Sequence, residues 1–161
     1  MTIGGYDKDG NYLIFIGVPE RASQYTNEYD PFFMNVQDWF CPFKQKVIDS
    51  FKEVLPKKVI KIIDIPLPCV NSKEGIWTVY SYNNMLVEIY GGVKRVILPT
   101  YIYKEGENNI LKEYENEVAE KLCKQGFSIT RTEDMSFFME EYSSIRCLTK
   151  IINRNYDKIN T

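Results

Sequence analysis

The chain has 161 residues, of which 44% are apolar and 14% aromatic, and its 20 basic and 22 acidic side chains leave a formal charge of −2. This size and composition predict one globular domain, and charges of both signs spread along the chain offer no basic surface for nucleic acid or an anionic membrane. No apolar run reaches the roughly 20 residues that span a bilayer, residues 1–10 lack the pattern of a signal peptide, and the four cysteines are irregularly spaced. We therefore expect a soluble cytoplasmic protein with free thiols.

The first half of the sequence predicts a strand, an irregular connection, a helix and a second strand. Residues 11–18 are rich in β-branched and aromatic side chains, which is typical of a buried strand, and a turn precedes them. Residues 21–42 contain two prolines and lack periodicity, so we expect an irregular surface connection with at most one helical turn. Apolar residues then recur at every fourth position of residues 43–55, which predicts a helix. The strand expected at residues 59–65 should stop at the prolines that follow it.

The middle of the sequence predicts a short strand and then a β-hairpin. Trp77–Tyr80 is β-rich, and so are Met85–Tyr90 and Val93–Pro99, which Gly91-Gly92 joins. Two glycines supply the positive φ angles of a two-residue hairpin turn. This hairpin is the most distinct local signal in the chain.

A second helix and further strands are expected after the hairpin. Apolar residues from Ile110 to Leu122 mark one helix face, and Gly126 is positioned to cap its end. Phe127–Arg131 predicts a strand, Met135–Met139 is a less regular apolar run, and Ser144–Ile152 alternates as a last strand does. Two strand-helix-strand units in succession indicate weak internal repetition.

Metal sites are not expected. Asp7, Asp9, Gly10 and Asn11 resemble the start of a calcium loop, but the sixth position is tyrosine instead of glycine and the twelfth is valine instead of glutamate, so we predict a plain turn. The chain contains no histidine and no Cys-x-x-Cys pair, which leaves no zinc motif. We expect neither a metal nor a cofactor.

Several segments, taken in order, resemble the C-terminal part of the peptidyl-arginine deiminase and agmatine deiminase families. Tyr82–Val87 is similar to the asparagine-bearing strand of those families. Ser144–Thr149, with the sequence Ser-Ile-Arg-Cys-Leu-Thr, lies where they carry their nucleophile motif His-Cys-x-Thr. The other matching segments are Ile62–Pro66, Val96–Tyr101 and Glu115–Phe127, with looser matches upstream.

The resemblance implies an α/β fold that is part of a pentein propeller, with about two ββαβ-like units in a single domain over residues 1–152 and a polar tail at residues 153–161. Members of these families hydrolyse a guanidinium group through a covalent cysteine adduct, and a histidine and carboxylates move the protons. By this resemblance Cys147 occupies the nucleophile position, while Asn83, Asn84 and Arg146 contribute to the substrate site. Judged from its neighbours alone, Cys147 is a core or passive thiol, since adjacent residues of a strand point to opposite faces.

The departures from the family pattern favour a protein without catalytic activity. Arg146 stands where the families have a histidine before the nucleophile, and the chain contains no histidine at all. It therefore lacks the usual group that protonates the leaving ammonia and activates water. We therefore expect a truncated, degenerate deiminase-like domain that serves as a binding or structural subunit. A protein partner or a second copy would cover its open sheet edges.

Two alternatives remain open. In the first, the chain is a subunit of a guanidine-group hydrolase, in which Cys147 attacks the substrate and another chain supplies the histidine and aspartate. In the second, the resemblance is accidental and the chain is an ordinary two-layer α/β binding domain.

Overall fold

Two ββαβ units follow one another in the computed structural model, which describes residues 1–26, 29–55 and 59–140. The first unit consists of β1 (Thr2–Tyr6), β2 (Tyr12–Arg21), α1 (Pro31–Val54) and β3 (Ile60–Asn71), and β4 (Trp77–Val79) follows it. The second consists of β5 (Leu86–Tyr90), β6 (Val93–Thr100), the short ribbon β7 (Lys104–Glu105) and β8 (Asn108–Asn109), α2 (Leu111–Cys123) and β9 (Ser128–Asp134), and α3 (Ser136–Glu140) comes after it.

The strand directions are the same in both units. The first strand of each unit pairs antiparallel with the second, and the second pairs parallel with the third. The sheets have the orders β1-β2-β3-β4 and β5-β6-β9. The predicted internal repetition is confirmed at the level of structure.

Strand β1 was not predicted from the sequence. It contains Gly4 and Gly5, and glycine is depleted in strands, so its pattern is weak. The turn after it is confirmed: the Asp7 carboxylate accepts hydrogen bonds from the backbone amides of Asp9, at 2.9 Å, and Asn11, at 2.8 Å. The residues that resemble a calcium loop therefore form the β1–β2 turn.

Helix α1 is about twice as long as predicted, and the expected irregular connection over residues 21–42 is wrong for its second half. The Asp30 side chain accepts a hydrogen bond from the amide of Phe32 at 2.9 Å and caps the helix, with Pro31 in its first turn. Pro42 lies inside the helix without ending it. A proline at the first helical position favours a helix, because its φ angle is already helical and because an N–H group at that position would have no partner within the helix.

Strand β3 also continues through the prolines that were expected to stop it. Pro66 pairs with Val18 and Pro68 with Glu20 in the parallel ladder. The carbonyl of Pro68 accepts a hydrogen bond from the amide of Tyr80, on the side away from β2. Residues two apart in a strand direct their backbone groups to the same side. The positions of the missing N–H groups of Pro66 and Pro68 therefore point away from β2, and the β2–β3 ladder loses no hydrogen bond.

The second unit agrees with its predictions. The β5–β6 hairpin turns at Gly91 and Gly92, with φ angles of 54° and 78°. Helix α2 lies where the apolar periodicity placed it, and Gly126 follows it with a φ of 85°. Met135–Met139 falls largely within α3, while the predicted strand at residues 144–152 and the tail at residues 153–161 lie outside the described residues.

Helix α2 lies between the two sheets and joins the units. One of its faces packs on β9, where Glu115 pairs with Arg131. The neighbouring face reaches the first sheet, where the Lys121 ammonium donates to the Asp64 carbonyl at 2.9 Å. The core that forms around α2 contains one face of the first sheet, including Leu13, Phe15 and Ile65, and the inner face of the second sheet, including Val96 and Leu98.

Helix α1 covers the opposite face of the first sheet. The Lys44 ammonium lies 2.7 Å from the Asp64 carboxylate, and the ring of Phe51 lies 6.2 Å from that of Tyr12. Of its 24 residues, Phe33 is the buried one in the described structure. Among the residues that the structure describes, no helix combines the length and the apolar character that crossing a lipid bilayer requires.

Candidate functional site

Asn83 and Asn84, two of the predicted substrate-binding residues, lie together in a 3-10 helix, Tyr82–Asn84, between β4 and β5. Asn83 is 5% exposed, and its backbone carbonyl accepts a hydrogen bond from the Thr2 hydroxyl at 2.5 Å. Its side-chain Oδ1 is buried without a hydrogen-bond partner among the described residues. The side chain lies close to Gly17, where an added Cβ would be 2.8 Å from Asn83 Nδ2. The asparagine is therefore held firmly at the junction of the two units.

Both asparagines line a cavity of about 110 Å³ beneath α1. Its wall is largely apolar and contains Ile16, Leu67, Phe40, Phe43 and Val47. Recognition of a guanidinium group relies on carboxylates that accept its N–H groups in pairs. No carboxylate lines this cavity among the described residues, so the cavity suits a largely apolar group that makes neutral polar contacts with Ser81 and the two asparagines.

A second, polar cleft of about 260 Å³ lies at the carboxyl ends of β2, β3 and β6. Tyr25, Lys73, Glu74, Tyr103 and Glu105 line it, on segments that follow β2 and β3, which are parallel strands of the first sheet, and β6 of the second sheet. The Glu105 carboxylate accepts a hydrogen bond from the buried Ser23 hydroxyl. Burial, together with Glu105 and Glu74, raises the pKa of Tyr103. Sequence reasoning missed this cleft, although the carboxyl ends of parallel strands are where open α/β sheets bind ligands.

The nucleophile position itself, Cys147, and Arg146 beside it lie outside the described residues. Of the described cysteines, Cys41 and Cys123 are exposed and Cys69 is buried. Burial raises the pKa of Cys69 to about 12, so its thiol stays protonated and unreactive at neutral pH. No group of three metal-binding side chains was found in the described part of the chain.

A carboxyl group with a raised pKa can take the place of a histidine in proton transfer. Glu20 at the end of β2 fits this pattern, because burial and then the nearby Glu117 raise its pKa. It lines neither the cavity at Asn83 nor the polar cleft. The described residues thus contain no proton-transfer group beside the predicted asparagines.

A row of apolar side chains along one flank of α1, here called the α1 outer stripe, is partly exposed to solvent, while the ring of Phe32 lies 4.8 Å from that of Trp77 and Phe43 also lines the cavity beneath α1. It consists of Phe32, Val36, Trp39 and Phe43. Trp39 is 66% exposed, and Phe32 and Phe43 are also exposed. The rings of Trp39 and Phe43 stack at 5.0 Å with an interplanar angle of 11°. Clusters of exposed aromatic side chains of this kind mark interaction surfaces.

Comparison with known proteins bears on the fold. No family model matches the sequence, and no curated protein matches it. A solved structure described as a "putative peptidyl-arginine deiminase" superposes with a TM-score of 0.52 and 16% sequence identity, over 96% of this chain and 42% of that one. The fold is deiminase-like. The chain is an α/β protein with the architecture of a partial pentein-type propeller, built of two ββαβ units, and it spans less than half the length of this neighbour.

Proposed function

We propose that this chain is a non-catalytic, deiminase-like domain that acts as a binding or structural subunit of a larger assembly. The observation that supports this proposal is the partial exposure of the α1 outer stripe, because the flank of α2 with the same spacing contacts the first sheet. A partner that covers α1 would complete for the first unit the packing that the second unit already has.

The two helices are comparable residue by residue. On α2, Tyr114, Val118 and Lys121 follow one another at intervals of four and three residues and face the first sheet; the Tyr114 hydroxyl donates to the Arg21 carbonyl at 3.1 Å. On α1, Phe32, Val36 and Trp39 have the same intervals.

In both helices the stripe that faces the unit's own sheet begins one residue later. It starts at Glu115 on α2 and at Phe33 on α1. The α1 outer stripe is therefore the counterpart of a flank of α2 that contacts the first sheet.

The chemistry of the described residues supports the non-catalytic part of the proposal. The chain has no histidine, the cavity at Asn83 has no carboxylate among its described lining residues, and the thiol of Cys69 is protonated. Guanidine hydrolysis needs a thiolate, a proton donor for ammonia and a base for water. The alternative, a hydrolase subunit with Cys147 as its nucleophile, requires another chain to supply the histidine and aspartate.

The experiment that separates these functions is covalent labelling of the folded protein with a chloroacetamidine, a mimic of the guanidinium group, beside iodoacetamide. Cys41 and Cys123 are exposed and would react with both reagents, so the reference protein carries Cys41→Ser and Cys123→Ser. Its remaining thiols are Cys69, which is buried, and Cys147. The matched control adds Cys147→Ala, and intact mass with peptide mapping locates the label.

For a non-catalytic domain we expect no preference for the amidine over iodoacetamide at Cys147. Rapid labelling by the amidine that Cys147→Ala abolishes would show a surviving guanidinium site. That result would overturn the proposal in favour of the hydrolase subunit.

A further inference from the structure

We infer that the cavity beneath α1 is a binding site for a small neutral molecule that carries a hydroxyl group on a single aromatic ring. Phenol is the simplest member of this class. The site goes beyond the proposed function, since it takes a small molecule and requires no partner protein.

The size of the cavity suits one ring. Its volume is about 110 Å³, whereas a single buried water needs only about 10–15 Å³. An apolar protein cavity of about 150 Å³ accepts benzene, so the space beneath α1 is of the right order for one ring and excludes larger molecules. Met1 and Phe43 on its wall are both partly exposed and mark the side from which a ligand enters.

Helix α1 supplies an aromatic wall. The ring centroids of Phe40 and Phe43 lie 6.5 Å apart with an interplanar angle of 53°, and Val47 continues the wall one turn further along the helix. Aromatic rings pack favourably on one another in tilted arrangements at such distances. Ile16 of β2 and Leu67 of β3 line the cavity from the sheet. A flat ring therefore finds apolar contacts with both the helix and the sheet.

The polar end of the site is the side-chain amide of Asn83. This side chain is almost fully buried, and its Oδ1 has no hydrogen-bond partner among the described residues. Gly17 leaves the amide at the cavity wall, because a Cβ at that position would lie 2.8 Å from Asn83 Nδ2. A buried acceptor without a partner is costly, so a ligand that donates a hydrogen bond to it gains stability. A hydroxyl group both donates and accepts, and it pairs with either end of the amide.

The wall carries no charged side chain among the residues that the structure describes, and this selects a neutral ligand. Its polar side chains are those of Ser81, Asn83 and Asn84. Burial of an ammonium, guanidinium or carboxylate group without a charged partner is costly. The site therefore differs from a guanidinium site in the charge of the molecule that it takes.

Titration of the full chain with phenol and toluene tests this site. The two probes have nearly the same shape, and toluene carries a methyl group in place of the hydroxyl. Two-dimensional NMR of nitrogen-labelled protein follows the side-chain amide of Asn83 and the backbone amide of Gly17, and saturable changes in their positions give the Kd of each probe. Benzamidine, a flat cationic ring, is the third probe.

Three variants locate the binding. Val47→Phe fills the cavity from α1, and Val54→Phe is its matched control, because Val54 is the last residue of the same helix and is 75% exposed. Asn83→Leu keeps a side chain of similar size and removes the acceptor. Circular dichroism checks the fold of each variant, and Asn83→Ala replaces Asn83→Leu if the latter does not fold.

We expect the wild type and Val54→Phe to bind phenol equally well, and Val47→Phe to lose at least about tenfold in affinity. Asn83→Leu should shift the ratio of the two dissociation constants about tenfold in favour of toluene, since phenol then buries a hydroxyl group without its partner. Benzamidine should bind at least about tenfold more weakly than phenol.

Three results would overturn the inference: no saturable binding of phenol, equal binding by Val47→Phe and the wild type, or a ratio of dissociation constants that the substitution of Asn83 leaves unchanged. These results would leave the proposed function unaffected, since that function depends on the α1 outer stripe and on Cys147. Tighter binding of benzamidine than of phenol would also overturn the inference, because it would identify a site for cations.

Discussion

Replacing Arg131 by leucine removes the nearest cation from the buried carboxylate of Glu115 and should destabilise the protein by about 2–3 kcal/mol. Arg131 Nε lies 2.5 Å from Glu115 Oε1, and Glu115 is fully buried, with its Oε2 lacking a hydrogen-bond partner among the described residues. Loss of one member of a fully buried pair typically costs about 3–5 kcal/mol. We expect less here because Lys112 remains at 3.1 Å and the Arg131 side chain is 43% exposed.

The double variant Glu115→Leu/Arg131→Leu should recover most of this loss and come within about 1 kcal/mol of the wild type, since an apolar pair leaves no uncompensated charge in the core. Urea denaturation at pH 7 of the wild type, the two single variants and the double variant gives the coupling energy, provided that the slopes agree. A loss below about 0.5 kcal/mol for Arg131→Leu, or double-variant losses that simply add, would refute the reasoning.

Three further predictions concern the packing of the first unit. Gly17→Ala should destabilise the fold by about 1–3 kcal/mol in urea denaturation, because its Cβ would lie 2.6 Å from the Leu67 side chain; an unchanged midpoint would contradict this close approach. Cys69 should resist iodoacetamide at pH 8 while Cys41 reacts. Since its folded pKa of about 12 exceeds the unfolded value of about 8.5, the folded protein holds the extra proton. Stability should therefore fall from about pH 8.5 to 12, by up to about 1.4 kcal/mol per pH unit more than in Cys69→Ala; equal slopes would rule this out.

The parts of the fold that depend on local signals were predictable. The Gly91-Gly92 hairpin and the periodic helix α2 each contain their own pattern within a few residues, and the structure confirms both. Strand β1 was not predictable in this way, because its two glycines weaken the pattern and its pairing with β2 supplies the order.

Proline was the main source of error in the first unit. Pro31 signals a helix start only when Asp30 is recognised as its cap. Pro66 and Pro68 are compatible with a strand because of the direction of their missing N–H groups, which depends on where β2 and Tyr80 lie.

The candidate site was also predictable only in part, because its walls come from parts of the chain that are distant in sequence. Asn83 and Asn84 were assigned to a substrate site through the family resemblance, but the apolar wall around them comes from α1, β2 and β3, which the sequence did not bring together. The polar cleft depends on loops from three strands that are far apart in sequence. The roles assigned to Cys147 and Arg146 stay predictions.

The prolines of β3 also restrict how another chain can join this one. Pro66 and Pro68 stand in the longest strand of the first sheet, and on the edge away from β2 neither can donate a hydrogen bond. The Pro68 carbonyl is already bonded to the Tyr80 amide. A foreign strand laid along the residues before it would meet the missing donor of Pro66, and prolines are one way in which proteins prevent strands from adding to an open edge. Pairing of this edge with a strand of another molecule, which leads to aggregation, is thus disfavoured at this position.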